Sequence, residues 1–64
     1  MAKTNVEVQL VGLDGNAFAI MGRVSAALSR EGYADLVEEY QHRGFNAESY
    51  DDFLQITMEY VEVS

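Results

Sequence analysis

Asn16-Ala-Phe-Ala-Ile-Met-Gly-Arg-Val-Ser-Ala-Ala-Leu-Ser-Arg-Glu-Gly32 is the stretch on which the reading of this chain turns. Ile20, Val24, Ala27 and Leu28 recur at i, i+4, i+7 and i+8; Met21 widens the stripe and Phe18 carries it into the first turn. That spacing predicts an amphipathic helix over 17–31 with one buried face. Asn16 is a good N-cap, since its side-chain oxygen can accept the backbone N–H of Phe18 or Ala19. Arg23 and Arg30 fall on the outer face. Gly32 stands where a left-handed residue closes a helix, with Arg30 complementing the dipole.

Upstream, Val6, Val8 and Leu10 alternate with Glu7 and Gln9, and Val11 follows. Period two with β-branched residues predicts a strand over 5–11. Gly12 to Asn16 reads as a turn. Downstream, Leu36, Val37 and Tyr40 mark a second helix from Ala34 or Asp35 to Arg43. Asp35 and Glu38 have capping-box spacing at its start. Gly44 is expected to end it, and Phe45 to pack back onto the core. Ser49, with Asp52 three residues on, caps a third helix over 49–57, whose apolar side is Phe53, Leu54, Thr57 and Met58. Alternation over 58–63 predicts a second strand. The expected fold is a small α+β domain over 1–64, of order βαααβ. Its two strands, at the chain ends, are expected to pair antiparallel against three helices.

Sixty-four residues bury about 60% of the unfolded surface, so stability should be modest. There is no cysteine, which removes disulfides and thiolate metal sites and weakly favours a reducing compartment. The longest apolar run, Ala17 to Met21, is too short to span a bilayer, and the first residues carry no apolar signal core. The expected location is the cytoplasm.

Charge is lopsided. Residues 1–30 set Glu7 and Asp14 against Lys3, Arg23 and Arg30, whereas residues 31–64 set nine carboxylates against Arg43 alone; the whole net charge of −7 therefore lies in the second half. Such a chain is repelled by nucleic acid and anionic lipid and attracted to basic surfaces.

No motif for catalysis or metal binding accompanies the charge. Gly12 and Gly15 precede a helix as in phosphate-binding loops, but Asp14 sits between them and no Lys follows. Asp14 and Asn16 could begin a calcium loop, yet its sixth and twelfth positions hold Ala19 and Ser25. Glu38 and His42 lie one helical turn apart, two ligands where a metal needs three or four. His42 with Ser25 or Ser49 forms no catalytic arrangement. The Asp51–Asp52 pair suits a helix N-terminus. No cofactor and no enzymatic activity are expected.

The acidic set Glu31, Asp35, Glu38, Glu39, Glu48, Asp51, Asp52, Glu59 and Glu62 is the candidate partner-binding surface. Carboxylates one helical turn apart, about 6 Å, approach the spacing of phosphates along a DNA strand. Such a row can occupy a Lys/Arg groove in place of nucleic acid; the bland alternative is a solubilising surface. Among Tyr33, Tyr40, Tyr50 and Tyr60, one or two exposed anchors are expected beside the carboxylates.

Val8 to Gly22, followed by Ala27-Leu28 and Gly32, resembles a family of very short proteins of phage and bacterial genomes, as does the tail Tyr50 to Val63. The resemblance spans roughly residues 8–63 and implies a compact one-domain α/β fold. Size, acidity and the βαααβ reading are similar to small anti-CRISPR proteins that inhibit type I systems. That similarity implies a phage-derived inhibitor, with the DNA-recognition subunit of a type I CRISPR complex as partner; it assigns no residue a role. The competing expectation is a small adaptor or homodimer joined through an apolar patch or a sheet edge.

Overall fold

The computed structural model describes residues 2–10 and 16–63. The expected turn over 12–15 and the strand end at Val11 lie outside them. Along the chain come β1 (Glu7–Val8), α1 (Ala17–Arg30), α2 (Ala34–Phe45), α3 (Tyr50–Tyr60) and β2 (Glu62–Val63). Helices dominate, and the two short strands are parallel, with Glu7 opposite Glu62 and Val8 opposite Val63.

The expected antiparallel sheet is therefore corrected. Three helices separate β1 from β2, a crossover long enough to bring the chain back in the same direction, as a parallel pair requires. The strands are also far shorter than the alternation in the sequence suggests. α3 continues to Tyr60 because Phe53, Ile56, Thr57 and Tyr60, all buried, make a helical stripe at i, i+3, i+4 and i+7.

Local chemistry sets the helix ends. The Asn16 side chain accepts the Phe18 amide (2.8 Å). At the other end of α1, Gly32 has φ +91°. The Gly32 amide donates to the Ser29 carbonyl and the Tyr33 amide to the Leu28 carbonyl, the paired pattern of a Schellman close. Ser49 caps α3 by accepting the Asp52 amide (3.0 Å), and the Asp52 carboxylate accepts the Glu48 amide (3.0 Å). α2 differs from expectation at both ends. Tyr33 is its N-cap without a side-chain bond, so Asp35 and Glu38 form no capping box. Gly44 lies inside the helix rather than ending it. A Cβ there would come 2.5 Å from Met21 Cε and 3.2 Å from Phe53 Cε1. The glycine lets α2 approach α1 and α3.

The core gathers Val6 and Val8 with Ile20, Met21, Val24, Ala27 and Leu28 of α1, Tyr40 of α2, Phe53, Ile56 and Tyr60 of α3, and Val61. Among the described residues the core encloses a polar pair, Tyr40 with Thr57, both 0% exposed. The Thr57 hydroxyl donates to the Phe53 carbonyl (3.0 Å), leaving its oxygen to accept the Tyr40 hydroxyl (2.8 Å). Burial pushes the Tyr40 phenol up, and the Thr57 bond opposes the shift.

The N-terminal segment closes α3. The Lys3 amide donates to the Glu59 carbonyl (2.7 Å). The Thr4 hydroxyl donates to the Tyr60 carbonyl (2.8 Å) and accepts the Val6 amide (3.1 Å). Two carbonyls that a helix end leaves orphaned thus find partners almost a whole chain away.

Candidate functional site

The nine carboxylates of the expected surface have three different fates. Glu39 and Glu59 are drawn into a network around Tyr60, whose residue is 0% exposed. Glu39 pairs with Lys3 Nζ (3.0 Å) and accepts the Tyr60 hydroxyl. Glu59 accepts both terminal nitrogens of Arg43 (2.7 and 3.1 Å). Lys3 Nζ and Arg43 Cζ lie 4.9 and 5.8 Å from the centre of the Tyr60 ring, within cation–π range.

This network perturbs its members. The Tyr60 hydrogen bond, then the Lys3 bond, holds the Glu39 carboxyl below the ordinary glutamate range. The Arg43 fork does the same for Glu59. The Tyr60 phenol is pushed up, first by burial and then by donating to the Glu39 carboxylate. Lys3 and Arg43 are raised by their carboxylate partners.

Asp52 has a second fate, in the α3 cap. The remaining six, Glu31, Asp35, Glu38, Glu48, Asp51 and Glu62, are exposed and enter no ion pair among the described residues. They do not form one row. Asp35 and Glu38 join Glu39 and His42 around a shallow concavity of about 470 Å³ on the outer face of α2. Glu48 and Asp51 stand at the start of α3, beyond the other end of α2, a helix about 18 Å long. Glu62 stands across the parallel ladder from Glu7, an acid outside the expected set. Arg23 and Arg30 are exposed on α1, without an ion-pair partner among the described residues. Among those residues no group of three His, Asp or Glu is placed to hold a metal ion. No helix among them is long and apolar enough to cross a membrane.

Charge does not point to a second surface, which is apolar. Phe18 is 71% and Phe45 64% exposed, although one was expected in the core stripe and the other packed back on the core. Their rings stand 6.0 Å apart. With Tyr50 they wall an open groove of about 310 Å³, floored by Met21, Gly44 and Phe53. A signal for this was present. At 100° per residue, Phe18 falls about 120° from the centre of the α1 stripe. Phe45 is displaced similarly on α2.

Comparison with protein-family models gives no match, and neither the curated proteins nor the solved structures contain a match to this chain.

Proposed function

We propose that this chain is a non-enzymatic binding protein. It sets the carboxylates of its second half against a basic protein surface, one that otherwise binds nucleic acid. One observation carries the reading. After the fold has matched Lys3 with Glu39 and Arg43 with Glu59, and has used Asp52 in the α3 cap, six exposed carboxylates of residues 31–64 are left without an ion pair among the described residues. The two remaining cations, Arg23 and Arg30, both belong to α1. A partner carrying Lys and Arg relieves that imbalance and is steered by it.

The similarity in size and acidity to inhibitors of type I CRISPR systems makes their DNA-recognition subunit the first target. The test measures DNA binding by nuclease-deficient type I complexes, with and without this protein, at low and high salt. The reading expects inhibition that weakens with salt and is lost in an Asp35→Asn, Glu38→Gln, Asp51→Asn variant. Inhibition unchanged by salt and by these substitutions would remove charge mimicry.

The exposed pair Phe18 and Phe45 favours a second reading, an adaptor or homodimer joined through an apolar surface. It expects association that survives high salt.

A further inference from the structure

We infer that the groove between α1, the end of α2 and the start of α3 is an anchor site for a basic peptide segment of a partner protein, one bearing apolar side chains at helical spacing. The identity of the occupant's charge rests on the reading above; the groove itself does not. Phe18, Phe45 and Tyr50 project where three helix ends meet, over a floor of Met21, Gly44 and Phe53. Both phenylalanines are more exposed than buried, and their rings stand 6.0 Å apart at the edge of the core. Aromatic walls over a packed apolar floor are the arrangement in which interface anchors concentrate.

The rim selects among occupants. Glu48 lies between the lining residues Ala47 and Ser49, and Asp51 follows Tyr50. Both are exposed and without an ion pair among the described residues. A segment with Leu-like anchors and flanking Lys or Arg therefore meets apolar surface in the middle and carboxylates at the edge. Amphipathic helices seat in grooves in this way. A second copy of this chain fits poorly. Each copy carries −7, and apposed grooves would set Glu48 and Asp51 against their own equivalents. The glycine floor is part of the device, because a side chain at Gly44 would displace Met21 and crowd Phe53.

The test uses the full chain and three synthetic amphipathic peptides: Leu anchors with Lys elsewhere, Leu anchors with Glu elsewhere, and Ala in place of Leu with Lys kept. Binding is read by amide chemical shifts and titration. The Leu/Lys peptide should bind and shift residues 17–21 and 44–53. Phe18→Ser and Phe45→Ser should each weaken it about tenfold or more, with circular dichroism melts unchanged. Asp35→Asn with Glu38→Gln should leave it almost unaltered. Equal binding of the Ala/Lys peptide, or indifference to both phenylalanine changes, overturns the groove and leaves the basic-partner reading standing. Equal binding of the Leu/Glu peptide overturns the basic occupant. So does a concentration-dependent mass that Phe45→Ser abolishes, which would give the groove to a second copy. No binding by any peptide overturns the proposal, whereas DNA displacement by a Phe45→Ser variant still tests the acidic reading separately.

Discussion

Two aromatic clusters in this small protein use the same residue types to opposite ends. Around Tyr60 every polar group is answered: its hydroxyl by Glu39, the two glutamates by Lys3 and Arg43, and the backbone carbonyls of the α3 end by Lys3 and Thr4. Around Phe18 and Phe45 almost nothing is answered; the rings face water, and the nearby Glu48 and Asp51 lack ion-pair partners among the described residues. The first cluster ties the N-terminal segment to α2 and α3. The second has contacts to spare. Residue type alone does not tell a stabilising cluster from an available one; the distinction lies in how many partners the fold has already supplied.

The comparison can be broken by substitution. Tyr60→Ala should show the largest effect, a loss of about 3–5 kcal/mol in urea unfolding, since it removes a fully enclosed aromatic ring. A loss below about 1 kcal/mol would show that the terminal network is not where this fold is held. Tyr40→Phe tests the buried hydroxyl pair and should cost about 1 kcal/mol, because the Thr57 oxygen loses its donor.

Acid sharpens the contrast further. Glu39 and Glu59 have folded pKa values below their ordinary value of 4.5. Their contribution is complete above the unfolded value and is lost as pH falls through the lower folded values. Melting temperature in the wild type should therefore drop more steeply below about pH 4.5 than in a Glu39→Gln, Glu59→Gln variant. Parallel curves would mean that the two ion pairs do not couple to folding. Phe45→Ser should show the smallest effect on the fold, within about 0.5 kcal/mol of wild type. A larger loss would place Phe45 in the stabilising cluster instead of the available one.

Much of the helical scaffold was legible in the sequence, since its causes are local. The Asn16 cap, the Gly32 close and the Ser49 cap with its Asp52 partner each act within a few residues of their helix. What escaped depends on tertiary placement. Strand direction depends on how the three intervening helices carry the chain from Glu7 to Glu62, which alternation within a strand does not encode. Gly44 carries the composition of a helix stop but acts as a packing gap. The acidic set reads as one surface in sequence. Its division depends on pairings across 36 residues, for Lys3 with Glu39, and 16, for Arg43 with Glu59. Hydrophobicity alone places Phe18 and Phe45 in the core, whereas their angle on the helical wheel turns them outward.

Parallel pairing of the two strands has a mechanical consequence. Lys3 lies beside Glu59, and Val8 beside Val63, so tension applied at Ala2 and Val63 pulls the paired segments past each other lengthwise. The Lys3–Glu59, Thr4–Tyr60 and Glu62–Val6 bonds are then loaded together in shear. An antiparallel pair pulled from the same ends would unzip one bond at a time. Small as it is, the ladder acts as a clasp across the ends of the folded chain, resisting force in the direction along which its two segments run.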